Sequence, residues 1–363
     1  MKDFSILAKS VYIKGSGSYV KPHNRFEQHQ IVPDGDYIDK LLAEEGEAIF
    51  SERTQFIEVF PKTIVNKIDS PDLGFRYSMN PYQGCEHGCT YCYARPSHEY
   101  WGYSAGTDFE RKILVKKNAA ELLEKEFNKK KWEVLPIMLS GNTDCYQPIE
   151  RKLGITRQLL ELCVKYKHPV SIITKNALIL RDIDLLEQLA KDNLVHVSLS
   201  ITTFDDDLRR VLEPRTSSAK NKLKALELMT QKNIPVNVMV APIIPALNSH
   251  EIPTILKTVG ELGAVSAGYT IARLNGAIAD VFTNWLETNF LDRAEKVLNQ
   301  IRECHDGELF DYRAKKRMRG EGNISKQIKD VFHLYRKKYI KGTLPDYNLE
   351  LFYQNKEKQL KLF

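Results

Sequence analysis

The chain has 363 residues, 42% of them apolar and 28% charged. That length suits one large domain with appendages, or two domains, and the apolar share is enough for a sizeable core; wholesale disorder and collagen-like or low-complexity structure are excluded. The net charge is +6, and residues 308–363 hold 14 Lys/Arg against 7 Asp/Glu, while the remainder holds 39 against 40. All the excess positive charge therefore lies in this C-terminal stretch, readable as a solvated helical face or as an electrostatic footprint for nucleic acid.

The longest weakly polar run, residues 234–247, holds three prolines and falls short of the roughly 20 residues a membrane helix needs. No apolar signal region follows Met1, and six cysteines in a chain this long are not a secreted disulfide framework. A soluble cytoplasmic protein without a membrane partner is expected.

In chain order, residues 1–70 read as an N-terminal extension that packs on something else, with a flexible turn at residues 15–18 and a short helix at 36–49. From about Phe75, short apolar runs of strand character recur at 75–79, 134–140, 170–174, 195–200, 236–240 and 266–271. Stretches of helical period lie between most of them, at 119–130, 155–166, 182–190, 220–231 and 252–262. The later strand ends are 26 to 40 residues apart, the spacing of βα units, so the sheet should be parallel. Six units are too few for a closed eight-stranded barrel. The expectation is an α/β fold, a partial (β/α)6 barrel over residues 71–275, with the site beyond the carboxyl ends of its strands. Residues 276–341 read as a basic helical region, with helices at 286–303 and 326–339, and residues 342–363 as an extended tail.

Cys85, Cys89 and Cys92 form a Cys-x3-Cys-x2-Cys loop, with Gly84 before the first thiol and Gly88 between the first two. Such a loop can wrap a small object, and thiolates are the ligands of iron–sulfur clusters. A four-iron cluster held by three local thiolates has one iron open, as a catalytic cluster requires. Zinc with His87 as fourth ligand is the alternative. Cys163 and Cys304, near apolar helix faces, read as inert.

This loop, with Tyr91 just before the last cysteine, closely resembles the signature of the radical S-adenosylmethionine superfamily. The resemblance implies a [4Fe-4S] cluster on Cys85, Cys89 and Cys92 whose open iron binds S-adenosyl-L-methionine. It also implies reductive cleavage of that cofactor to start hydrogen abstraction, and an electron donor such as flavodoxin or ferredoxin. Thr143-Asp144, Thr174-Lys175, Glu213-Pro214-x-Thr216-Ser217 and Val240-Ala241-Pro242-Ile243 are further similar to stretches of spore photoproduct lyase, a DNA-repair enzyme. The segments Asn80-Pro81-Tyr82-x-Gly84-Cys85 and Thr143-Asp144-x-Tyr146-Gln147-Pro148 look more like an uncharacterised bacterial relative of that lyase.

Carried over by position, Thr143 should contact the cofactor and Lys175 should pair with its carboxylate. Tyr91 and Tyr93 should lie near it. Ser198 and Ser200 alternate along one strand, so they share a face and could bond the ribose. The lyase's hydrogen-donating cysteine corresponds here to Gly141, a departure that argues against the lyase's own reaction; Cys145, in the same loop, is the substitute candidate donor. The basic residues Arg313, Lys315, Lys316, Arg317 and Arg319, with Arg336 to Lys338, are candidates for nucleic-acid contact. The run from Gln359 to Phe363, Gln-Leu-Lys-Leu-Phe, resembles the peptide by which bacterial polymerases and repair proteins dock on the sliding clamp.

Overall fold

In the computed structural model, residues 15–26 and 53–360 are described, with side chains to residue 355. The helix expected at 36–49 and the clamp-like run at 359–363 lie outside the described side chains.

Among the described residues there are ten strands: β1 Gln55–Val59, β2 Val65–Lys67, β3 Tyr77–Met79, β4 Tyr82–Gln83, β5 Lys112–Lys116, β6 Ile137–Leu139, β7 Val170–Thr174, β8 Val195–Ser200, β9 Val236–Ile243 and β10 Ser266–Ile271. Seven make one open sheet in the order β10-β9-β8-β7-β6-β3-β2. Its six central and far strands, β3 and β6 to β10, are the expected ones, and every pairing among them is parallel. Only β2 runs antiparallel, against β3. The sheet does not close, as expected for a partial barrel.

The alternation of burial along β7 and β8, with Val170, Ile172, Val195 and Val197 fully buried, places one face of the sheet under the helices. Helix Ile155–Tyr166 presents Ile155, Leu159, Leu160, Cys163 and Tyr166 to that face, the spacing of a single apolar stripe. Helices Ala119–Phe127, Ile183–Lys191, Ala219–Gln231 and Ile252–Glu261 follow the same rule. Among the described residues, no helix is long and apolar enough to cross a membrane.

A second sheet, β1-β5-β4, is absent from the sequence reading. Its strand β4 is only two residues long and sits between β3 and the cysteine loop, paired antiparallel with β5. A strand so short carries no periodic signal.

Three other expectations are corrected. The helix expected at 286–303 is two helices, Ile278–Asn289 and Leu291–Cys304, broken at Phe290 (φ −144°, ψ 50°). Buried residues such as Trp285, Leu286, Ala294 and Val297 continue across the break, so apolar periodicity cannot reveal it. The tail is not wholly extended: Glu350–Leu360 is helical, and Phe352, 1% exposed, meets Phe127 and His168 edge-on. Nor do residues 15–18 make a free loop. Ser16 Oγ and the amides of Gly17 and Ser18 all donate to the Glu110 carboxylate, at 2.7, 3.0 and 2.8 Å.

Candidate active site

The cysteine loop lies at the carboxyl ends of the strands and is held from three sides. The Cys85 amide donates to the Phe109 carbonyl (2.9 Å), and the Thr90 amide to the Leu212 carbonyl (3.1 Å). Arg95, fully buried, donates from Nε to the Cys89 carbonyl (3.0 Å) and from Nη2 to Glu110 (2.5 Å). Glu110 thus joins Arg95, at the end of the cysteine loop, to residues 16–18, which strap across it.

Cys85 and Cys89 are buried and Cys92 is partly exposed; all three are free thiols. Burial pushes the Cys89 thiol well up, with Glu213 and the other two cysteines adding to it and Lys175 opposing. Burial likewise raises Cys92, again opposed by Lys175. Cys89 and Cys92 therefore share one lysine neighbour. Among the described residues, no group of three or more His, Cys, Asp or Glu side chains is arranged as a preformed metal site. The fit to a cluster is one of donor chemistry: three thiols on one glycine-flanked loop beside a cation that favours thiolate.

His87 sits between Cys85 and Asp144, both of which raise its pKa against burial. Its Nδ1 faces Asp144 Oδ2 at 3.3 Å and its Nε2 meets Asn176 Nδ2 at 3.2 Å, so both ring nitrogens are engaged. Asp144 is the hub here. Its carboxylate also accepts from Thr174 Oγ1, the Lys175 amide and the Tyr146 amide, each at 2.8 Å. Burial alone would raise its pKa, but His87 and these amides hold it down at about 2.

A cavity of about 370 Å3 opens beside the cysteine loop; Tyr91, Tyr93, Lys175, Ser198 and Ser200 line it together. Lys175 Nζ stands 5.9 Å from the Tyr91 ring centre. Burial works against its charge, but Cys89, Glu213 and Cys92 raise its pKa overall. Ser198 Oγ accepts from Asn237 Nδ2 at 3.1 Å, and Ser200 is buried at the next position on the same face. Tyr93, 57% exposed, donates to the Gly141 carbonyl at 2.6 Å across the cavity mouth.

Two candidates lie elsewhere. Thr143 is buried, and its hydroxyl donates to the Tyr82 carbonyl at 2.6 Å, fixing β4 against the loop after β6. Cys145 is fully buried in the main core rather than in the cavity, with its amide bonded to Ser140 Oγ and its carbonyl to Thr156 Oγ1. The chain turns between Thr143 and Cys145, so closeness in sequence did not put the thiol on the cavity side. Gly141 does line the cavity, with no side chain to offer.

The basic C-terminal cluster is largely paired within the chain. Arg313 meets Asp306, Asp311 and Glu321; Lys316 meets Glu321; Arg317 meets Asp72; and Arg319 lies 3.9 Å over the Tyr269 ring. Arg336 Nε donates to the Ala267 carbonyl at 3.0 Å.

Two residues were not singled out, Glu213 and Arg273. Glu213, fully buried, accepts from Tyr91 Oη, Thr202 Oγ1 (2.5 Å) and Lys222 Nζ (3.4 Å). Burial would raise its carboxyl, but Lys222 and Lys175 bring it to about 2. Arg273 and Arg317 form part of the outer wall of the cavity. Arg273 follows the last strand just as Lys175 follows β7, and the strand-end argument made for the lysine would have found it.

Residues 79–259 match the family model described as the radical SAM superfamily. An uncharacterized protein of Mycobacterium tuberculosis is 32% identical over 234 residues, 64% of this chain and 69% of the relative. An uncharacterized protein of Methanocaldococcus jannaschii is 29% identical over 250 residues, 69% of this chain and 89% of the relative. Among solved structures, spore photoproduct lyase complexed with dinucleoside spore photoproduct superposes with a TM-score of 0.58 at 16% identity, covering 79% of this chain and 80% of that chain. A variant of the same lyase reaches a TM-score of 0.60 over the same shares, again at 16% identity. These likenesses show a shared fold.

Proposed function

The chain belongs to the radical SAM superfamily, and from that premise we propose that it is an enzyme that cleaves S-adenosylmethionine reductively to begin hydrogen abstraction from a nucleotide or short nucleic-acid substrate. The observation that carries the reading is the convergence of Tyr91 and Tyr93 of the three-cysteine loop, Lys175 and the Ser198–Ser200 face on one cavity at the carboxyl ends of parallel strands, with the thiols just behind that wall. When bound, a four-iron cluster reduced by an external donor would supply the one electron that cleaves S-adenosylmethionine to methionine, and the cofactor would supply the hydrogen-abstracting 5′-deoxyadenosyl group.

The chain's own residues then have distinct duties. Cys85, Cys89 and Cys92 would hold the cluster. Lys175, cationic beside Tyr91, would pair with the cofactor carboxylate, and its charge favours thiolate in the neighbouring cysteines. Ser198 and Ser200 would offer hydroxyls to the ribose. Tyr91, anchored on Glu213, walls the cluster end of the cavity, and Tyr93 with Gly141 closes its mouth against water. Apolar side chains such as Met138, Ile173 and Met239 line the space between, where a reactive radical must be kept from solvent.

Nucleotide chemistry is supported by the lyase-like fold, since that lyase is complexed with a dinucleoside photoproduct. The intramolecular pairing of Arg313, Lys316 and Arg317 favours a small or single-stranded substrate over a broad duplex footprint.

The test is anaerobic reconstitution with iron and sulfide, then reduction in the presence of S-adenosylmethionine. 5′-Deoxyadenosine should form above a Cys89→Ala control, and a dinucleotide or short single strand should increase its yield. No product above the control would overturn the enzyme reading. Product without any response to nucleotides would move the substrate to another class.

A further inference from the structure

The outer wall of the cavity carries charge that the cofactor does not use. The segment 308–320 is laid along β10, with the Ile271 amide donating to the Met318 carbonyl (3.0 Å) and the Leu274 amide to the Leu309 carbonyl (2.7 Å). This brings Arg317 beside Arg273, which follows β10, and both line the cavity. Arg317 is held: its Nε meets Asp72 Oδ2 at 2.5 Å and its Nη2 meets Ser70 Oγ at 3.1 Å. Arg273 is not held in the same way. Its Nη1 reaches the Asp311 carbonyl at 3.4 Å, and among the described residues no carboxylate lies within ion-pair distance of it.

The charged side chains of the cavity are Lys175, Arg273 and Arg317 against the single carboxylate of Asp72. Lys175 belongs to the cysteine end. The outer wall therefore has two guanidinium groups for one acid, a surplus that half-buried surroundings make costly. Burial lowers the pKa of Arg273 and the charge of Arg317 lowers it further, against the pull of Tyr93, Asp72 and Asp311. Paired guanidinium forks match the oxygens of phosphate and carboxylate bidentately. Beside them, Leu73, Phe75 and Met318 offer apolar surface. A phosphodiester carries one charge and is flanked by flat, weakly polar bases, so it answers both the surplus and the apolar wall.

We propose that Arg273 and Arg317 form an anion subsite that takes the phosphate of a nucleotide-class substrate, with Asp72 holding Arg317 until that phosphate arrives. The inference rests on the radical-enzyme reading for the substrate class only. An entering phosphate meets Arg273 at once and must compete with Asp72 for Arg317.

The experiment is calorimetric titration of the full-length protein, without reductant or S-adenosylmethionine, with the dinucleotide thymidylyl-thymidine, with thymidine and with succinate. The dinucleotide should bind, and Arg273→Gln should weaken it about tenfold, the loss of one charge-assisted contact. Asp72→Asn should tighten it severalfold. Lys191→Gln, the same loss of charge on a distant helix, should leave it unchanged. Thymidine should ignore all three substitutions.

The proposal is overturned if the dinucleotide does not bind, if Arg273→Gln binds like the parent, or if Asp72→Asn fails to tighten binding. Arginine-dependent binding of succinate in place of the dinucleotide would assign the subsite to carboxylate and overturn the phosphate. Should Arg317→Gln fail to fold, Arg273→Gln and Asp72→Asn still decide the matter. 5′-Deoxyadenosine formation tests the radical chemistry separately, so either result can fail alone.

Discussion

Gly17 and Gly88 meet backbone to backbone. A Cβ on Gly17 would lie 1.6 Å from the Gly88 carbonyl oxygen and 2.8 Å from its carbon, so only glycine lets residues 15–18 lie across the cysteine loop. Gly17→Ala should therefore lose about 1–3 kcal/mol, the cost of overpacking against atoms that cannot rotate away. Gly74→Ala is the control, because nothing lies within 4 Å of the added Cβ. Chemical denaturation of both variants checks the difference.

Substituting Cys85, Cys89 or Cys92 with alanine should abolish the brown absorbance of the anaerobically reconstituted protein, since two local thiolates cannot hold a four-iron cluster. Iron and zinc analysis of the parent protein decides the metal. Stoichiometric zinc in place of iron would refute the cluster.

Lys175→Ala should weaken S-adenosylmethionine binding about tenfold or more while leaving iron content near the parent value. Lys175 lines the cavity and the three cysteines do not, so on the proposed reading the lysine would act on the cofactor and the thiols on the iron. Equilibrium binding and iron analysis on the same sample separate the two effects.

Lys222 and Glu213 form a buried pair, 2% and fully buried at the side chain. Removing one member of such a pair leaves the other uncompensated, typically at about 3–5 kcal/mol. Lys222→Met should approach the lower figure, because Lys175 also lowers the Glu213 carboxyl. Denaturant midpoints give the loss, and Glu213→Gln combined with Lys222→Met should recover part of it.

Acid should destabilise the fold partly through His168. Burial lowers this imidazole to about 3, where it stacks on Phe127 and accepts from Trp132 Nε1 at 3.0 Å. Unfolded, it protonates near the ordinary value of about 6.5. Stability is then complete above that pH and falls as pH drops toward 3, because the unfolded state alone binds the proton. The slope is at most about 1.4 kcal/mol per pH unit for this group. Urea titrations at pH 7 and pH 5 should show a smaller difference in His168→Gln than in the parent.

The six parallel strands were legible because β6 to β9 are rich in Val, Ile or Leu, and because all six recur as short apolar runs at βα spacing, which needs no tertiary information. Strands β1, β2 and β4 were not, since short or edge strands leave little period to read, whereas β5, the central Lys-Ile-Leu-Val-Lys strand of the small sheet, carries an apolar run that the reading passed over. The cysteine loop was legible from spacing, and Ser198 and Ser200 from the two-residue repeat of a strand. Cys145 misled because a loop has no such repeat, and its side is set by contacts to Ser140 and Thr156. Thr143 satisfied its hydroxyl on a neighbouring backbone that sequence alone does not bring near it.

The walls of the cavity also carry a schedule. Ser16 and Glu110 are 94 positions apart and Arg317 and Asp72 are 245 apart, whereas the partners along β6 to β10 lie only about 25 to 39 positions apart. Contacts that close long loops form after those that close short ones. The sheet should thus be standing before residues 15–18 fasten over the cysteines and before segment 308–320 arrives. Until then Cys85 and Cys89, buried in the finished fold, are reachable from solvent, and on the proposed reading that interval would be the time for iron and sulfide to enter. Once Glu110 has gathered Arg95 and residues 16–18, reaching those two thiols again would require undoing that fastening.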